Sequence, residues 1–166
     1  MVIEVKDFIS KEQQKTINFS LSDRFPYYWF NSQVDNDFRP YLGHILVSRE
    51  DHTIQSTYAL SFIDIFISCL KKTNLSFKCI LRANINILFP VDDILHPPLF
   101  HRDHTFGHKQ FIMYFNDCDG DLELLYNGVS SSFTPKKNTA ILMDNLDHRA
   151  FSPSKGRRVS FIVTYD

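Results

Sequence analysis

The sequence predicts an α+β chain built on a double-sheet jelly roll, a double-stranded β-helix with N-terminal helices packed on one sheet. Three observations lead there. Two segments with helical signals lie in the first 76 residues. From residue 77 onward, short strand patterns recur about every ten residues. Turn residues separate those strands. No repeat, low-complexity tract or linker divides the chain. Residues 1–166 therefore read as a single domain, with 1–76 as N-terminal support and 77–166 as the jelly-roll core.

Each element has its own signal. Val2–Ile9 alternates loosely and reads as a strand. Ser10-Lys11-Glu12-Gln13 is a capping box, which starts a helix running to about Phe19. Asp23–Phe30 gathers Phe25, Tyr27, Tyr28, Trp29 and Phe30 around Pro26 and is strand-like, either as aromatic core or as a pocket wall. Tyr41–Arg49 is a strand. From Ile54 to Lys72 the apolar residues Tyr58, Phe62, Ile65, Phe66 and Leu70 fall on one helical face. The later strands are Phe77–Phe89, Gln110–Phe115, Leu122–Tyr126, Ser131–Phe133, Thr139–Met143 and Arg158–Tyr165. Asp117–Gly120 and Lys136–Asn138 are turns, with Gly120 and Asn138 suited to positive φ.

Composition narrows the function classes. The net charge is -1 and 43% of residues are hydrophobic. A core is affordable, and no global basic field supports dedicated nucleic-acid or membrane-surface binding. Met1–Lys6 lacks the basic and apolar regions of a signal peptide, and Ser61, Asp64 and Ser68 interrupt the longest apolar stretch. Cys69, Cys79 and Cys118 are scattered, which suits reduced thiols in a cytoplasmic setting.

The chemistry concentrates in the second half. His101-Arg102-Asp103 is a His-x-Asp motif, whose two outer residues point to one side of an extended chain. An imidazole and a carboxylate make a mixed nitrogen–oxygen site, and a second His would complete a facial triad with open coordination positions. His148, at the end of the Thr139–Met143 strand, is the candidate. Taken singly, each His also reads as an ordinary polar residue, and His-x-Asp is a weak motif by itself. After Gly156, which permits a tight turn, Arg158 and Ser160 share one face of the last strand. A guanidinium fork beside a hydroxyl suits a carboxylate, although Arg158 alone reads equally as a surface residue. Leu81, Ala83, Ile85 and Ile87 alternate with Arg82, Asn84 and Asn86, giving an apolar and a polar face. The polar face lines the barrel interior if the apolar face packs under the helices; otherwise it faces solvent. His104 and His108 crowd the same region and read as residues of the pocket mouth or as hydrogen-bond partners of a substrate.

In combination, these motifs make Leu81–Tyr165 resemble the Fe(II)/2-oxoglutarate-dependent oxygenases, particularly the prolyl-4-hydroxylase-like branch and its small phage-encoded members. The resemblance implies iron ligation by His101, Asp103 and His148. It implies a 2-oxoglutarate carboxylate held by Arg158, ten residues after His148, with Ser160 and with Tyr114 of Met113-Tyr114-Phe115-Asn116. Asn84 and Asn86 are further candidates for 2-oxoglutarate or substrate. The cofactors implied are Fe(II), 2-oxoglutarate as co-substrate and O₂. The reaction is hydroxylation of an unactivated C–H with release of succinate and CO₂, on a prolyl residue of a peptide or on a small molecule. The location implied is cytoplasmic, the host's if phage-encoded.

Two other readings use the same residues. A cupin-like or zinc-dependent hydrolase or isomerase would keep the metal without needing Arg158. A metal-binding or interaction module would keep it without catalysis. Substrate choice is expected in the N-terminal half and the loop from Val91 to Phe100, with Tyr27, Tyr28 and Trp29 as contributors.

Overall fold

The computed structural model describes residues 1–33 and 39–166. Helix α1 spans Lys11–Ser20. The Ser10 side chain accepts from the Gln13 amide at 3.2 Å, and the Gln13 side chain accepts from the Ser10 amide at 2.9 Å, so the capping box forms. Gln13 also donates to the Asp64 carboxylate and to Ser68, both at 2.7 Å, tying α1 to α2. Helix α2 spans Ala59–Thr73 and ends on Asn74 with φ 54°, where the left-handed backbone stops the helix. It starts later than its apolar periodicity suggests. The Gln55 amide bonds to the Leu46 carbonyl and Ile54 bridges to Val47, so this stretch folds back on the preceding strand.

The described strands form two antiparallel sheets. The larger has the order β1-β8-β5-β10-β4-β3-β2, and the smaller β7-β6-β9. These are β1 (Val2–Val5), β2 (Tyr28–Phe30), β3 (Tyr41–Val47), β4 (Ile80–Leu88), β5 (Lys109–Tyr114), β6 (Leu122–Tyr126), β7 (Val129–Phe133), β8 (Thr139–Asp144), β9 (Asp147–Ala150) and β10 (Arg158–Tyr165). Three strands of the larger sheet come from the first 76 residues. The chain turns out of β1 at Asp7, φ 54°, short of the Ile9 that the alternation reaches.

Alternation decides what each face of the larger sheet meets. Ala83, Ile85 and Ile87 of β4, Phe111 and Met113 of β5, and Val159, Phe161 and Val163 of β10 share one apolar cluster with Phe62 and Phe66 of α2. Phe66 lies edge-on to Phe111 at 5.5 Å and to Tyr165 at 4.9 Å between ring centroids, and Phe62 to Phe161 at 5.6 Å. The opposite face carries Ile112, Tyr114, Ile141 and Met143, which cluster with Leu122 and Leu124 of the smaller sheet.

Two local expectations change. His148 does not end β8. It sits inside β9, a short strand of the smaller sheet opposite Leu124, because the chain crosses between sheets after Asp144. Gly120 does not take positive φ; Asn127 (φ 50°), Gly128 (φ 77°) and Asn138 (φ 59°) do. Gly120 is small for a different reason. A Cβ there would lie 2.6 Å from the Phe151 carbonyl oxygen and 2.8 Å from the Pro153 nitrogen. Backbone cannot yield as a flexible side chain can. Gly120→Ala is therefore expected to cost about 1–3 kcal/mol, read as a lower denaturant midpoint.

Candidate active site

The face of the larger sheet turned from the helices is a ladder of inward side chains. Thr164 pairs with Arg82 on one side and Gln110 on the other, Ile162 with Asn84 and Ile112, and Ser160 with Asn86 and Tyr114. Arg158, opposite Leu88, comes last. The ligand and co-substrate candidates His101, Asp103, His148, Tyr114, Arg158, Ser160, Asn84 and Asn86 all line one cavity of about 70 Å³ bounded by this ladder.

One end of the cavity gathers the metal-ligand candidates. His101 and His148 exchange both backbone hydrogen bonds at 3.0 Å, which extends the smaller sheet by one bridge and sets the two rings 4.5 Å apart. Asp103 follows two residues on, with Oδ2 3.9 Å from His148 Nε2. One candidate ligand atom from each of His101, Asp103 and His148 lies within 4.8 Å of the others, close enough for one ion to reach all three. The His148 Nδ1 faces the Leu146 carbonyl at 3.1 Å, leaving Nε2 for the cavity. Burial pushes the His148 pKa down to about 4, against the pull of Asp103, so a neutral ring is presented at neutral pH. Burial opposes the Asp103 charge, but the adjacent guanidiniums, Arg82 before Arg49, hold its pKa well below the usual carboxylate range. Arg82 and Arg49 approach its Oδ1 at 3.1 and 3.2 Å. Gln110 donates to Oδ2 at 2.5 Å.

The other end is an anion receptor in its chemistry. Arg158 is 5% exposed, and its Nη1 donates to the Gly120 and Phe151 carbonyls at 3.1 and 3.3 Å. Those bonds fix the plane of the guanidinium. Its Nε, the Tyr114 hydroxyl and the Ser160 hydroxyl are buried with no hydrogen-bond partner among the described residues. Unsatisfied buried donors are costly, and a cluster of them facing one space calls for a ligand with acceptor oxygens. Burial raises the Tyr114 pKa, which keeps the hydroxyl a donor. Asn84 and Asn86 lie between the two ends, Asn84 donating to Asn86.

No protein-family profile and no curated protein matches the sequence. Solved structures do match the fold. A 2OG-Fe(II) oxygenase family oxidoreductase from Burkholderia pseudomallei superposes with a TM-score of 0.77 at 12% identity, covering 99% of this chain and 84% of that one. A prolyl hydroxylase from Trichoplax adhaerens, in complex with a hypoxia inducible factor peptide fragment, gives 0.63 at 12% identity, covering 99% and 82%. The α-ketoglutarate-dependent carbocyclase SnoK from nogalamycin biosynthesis gives 0.66 at 9% identity, covering 99% and 78%. The fold is that of the 2-oxoglutarate- and iron(II)-dependent oxygenases. Those neighbours hydroxylate or cyclise by name, so the fold alone leaves the substrate open.

Several residues here carry no sequence motif. Gln110, Arg49 and the contact of Arg82 with Asp103 appear only in three dimensions, though strand parity already put Arg82 with Asn84 and Asn86. Arg39, 1% exposed, is a clamp. It donates to Asp93, to the His96 carbonyl at 2.8 Å, and to Ser152 Oγ at 2.8 Å, joining the 91–100 loop to the end of β9. His104 and His108 do not line the cavity. His104 Nε2 meets Thr164 Oγ1 at 2.8 Å, and the two rings pack edge to face at 4.8 Å. Tyr28 and Trp29 are 62% and 64% exposed and stand outside the cavities, whereas Phe25 is core and Phe30 reaches a groove beside the site. No described helix is long and apolar enough to cross a membrane.

Proposed function

We propose that this protein is an Fe(II)- and 2-oxoglutarate-dependent dioxygenase. One observation carries the reading: a His-Asp-His cluster and a set of buried, unpartnered donors share one cavity. The donor set fits both groups. Two imidazoles and one carboxylate match a facial triad and leave positions open, and Arg158 with Tyr114 and Ser160 matches a carboxylate. When bound, iron, 2-oxoglutarate and O₂ supply the oxidising chemistry, and succinate and CO₂ leave.

The chain's own residues orient and shield. His101, Asp103 and His148 hold the metal, with Arg82, Arg49 and Gln110 keeping Asp103 ionised and aimed. Arg158, Tyr114 and Ser160 bind the distal carboxylate and set its distance from the metal. Asn84 and Asn86 steer 2-oxoglutarate or substrate along the ladder. Ile112, Ile162 and Leu122 line the wall and exclude water.

The two sheets form a double-stranded β-helix with α1 and α2 on the larger one, supported by the Phe62 and Phe66 contacts. The whole chain acts as one catalytic domain. The substrate is a prolyl residue of a peptide, as in the Trichoplax complex, or a small molecule. The relation to phage-encoded members rests on the sequence motifs, and three free thiols support a reducing cytoplasm.

The test is conversion of 2-oxoglutarate to succinate by purified protein with Fe(II) and O₂. Slow succinate formation is expected without primary substrate, and faster formation with it. Metal and 2-oxoglutarate binding with no succinate under any condition would favour a hydrolase or isomerase on the same fold.

A further inference from the structure

We infer that Arg49 and Arg82 form a receptor for an anionic group, a carboxylate or a phosphate, carried by the primary substrate. The inference rests on the oxygenase reading and names the chemistry of its substrate.

The place is a groove of about 230 Å³ that shares Tyr41, Arg82, Asn84 and Asn86 with the inner cavity, so the two spaces adjoin. Its floor is β3 against β4, with Gly43 opposite Asn86 and Ile45 opposite Asn84. Gly43 leaves the floor without a side chain there. A Cβ would lie 2.9 Å from the Phe30 ring and 3.0 Å from the Tyr41 ring. Those rings stack at 5.0 Å and 13°, making a flat apolar shelf beside the two arginines. A shelf next to a cationic pair suits a substrate with an apolar body and an anionic end.

The charge count points the same way. Arg49, Arg82 and Arg158 line the two cavities, and among the described residues Asp103 is the only acid that does. A divalent metal and a dianionic co-substrate cancel each other, so loading the site leaves the surplus positive charge in place. The surplus lies on the groove side, because Arg158 is committed at the far end of the ladder.

Holding Asp103 does not explain both arginines. They crowd the same oxygen, Oδ1, while Gln110 occupies Oδ2. One guanidinium would suffice, and a second beside it adds repulsion. The donors are also underused. Arg82 Nε is buried with no hydrogen-bond partner, and the Arg49 side chain is 49% exposed, so it opens to the groove. A metal ion drawing on Asp103 would loosen its hold on both. An incoming anion then meets two forks whose donors are already aimed.

The test needs no identified substrate. ¹⁵N-labelled protein is loaded with Zn(II), which is diamagnetic, and with N-oxalylglycine, a non-reacting analogue of 2-oxoglutarate that fills the Arg158 site. Arginine Nε–H resonances are followed while acetate, inorganic phosphate or neutral acetamide is added at constant ionic strength. Saturable shifts of Arg49 and Arg82 with acetate, phosphate or both are expected, with none from acetamide. The anion that saturates names the class. In Arg49→Gln the affinity should fall about tenfold, with Arg49→Lys intermediate and the surface variant Arg24→Gln unchanged. Absence of saturable shifts with either anion, or equal affinity in Arg49→Gln, overturns the proposal. Failure of N-oxalylglycine to shift Arg158 would instead count against the oxygenase reading. The anion titration is then read on the Zn(II) protein alone, with the same two outcomes.

Discussion

His101→Ala and Asp103→Ala are each expected to leave the purified protein without stoichiometric iron, because each removes one of three protein ligands. The two variants should differ in stability. His101 is partly exposed, and its loss leaves no buried charge behind. Asp103 is the shared partner of Arg49, Arg82 and Gln110. Removing it leaves two guanidiniums facing each other without a counter-charge. Breaking such a buried pair costs on the order of 3 kcal/mol, at the low end of the range because Arg49 is half exposed. Metal analysis after dialysis reads the first effect, and denaturant unfolding reads the second. Full iron content in both variants would remove the triad from the assignment.

Arg158→Ala is expected to keep iron and to lose 2-oxoglutarate affinity by roughly ten- to a hundredfold, the worth of a charge-assisted fork. Arg158→Lys should rescue only part, since an ammonium lacks the planar pair of donors. The matched control is Arg157→Ala. Arg157 is exposed just before the strand and donates to the Leu21 carbonyl at 3.0 Å. Calorimetric titration of 2-oxoglutarate into the metal-loaded proteins separates the three. Dependence on Arg157 instead of Arg158 would mean that the anion is held elsewhere.

What the sequence made legible follows strand parity. The alternation from Leu81 to Leu88 put Arg82, Asn84 and Asn86 on one face, and the same counting put Arg158 with Ser160. In the fold these faces meet in register, with Ser160 between Asn86 and Tyr114. Parity is local, so it survives without knowledge of the partners. The placement of His148 was less legible. Asp147-His148-Arg149-Ala150 has no apolar alternation, and only its pairing with β6 makes it a strand. Arg49 lies 54 residues before Asp103, and no spacing rule links a guanidinium to a carboxylate across that distance. Gly120 illustrates a third case. The turn signal marks the residue, but the constraint is the nearby backbone of residues 151–153 and not its own φ.

The Arg39 clamp has a consequence for how this molecule can vary. Its bonds grip Asp93 and the His96 carbonyl, and between those two anchors Ile94 and Leu95 stand 92% and 72% exposed. The tip is thus mechanically isolated: both of its feet are fixed to the framework. Lengthening a surface loop costs little, because closure entropy grows only with the logarithm of length. Insertions or exchanges between Asp93 and His96 can therefore accumulate without moving His101 or Arg158, while the same changes one residue outward would release the clamp. Related chains should diverge most in that short arc, which makes it the natural place to graft new recognition onto an unchanged reaction centre.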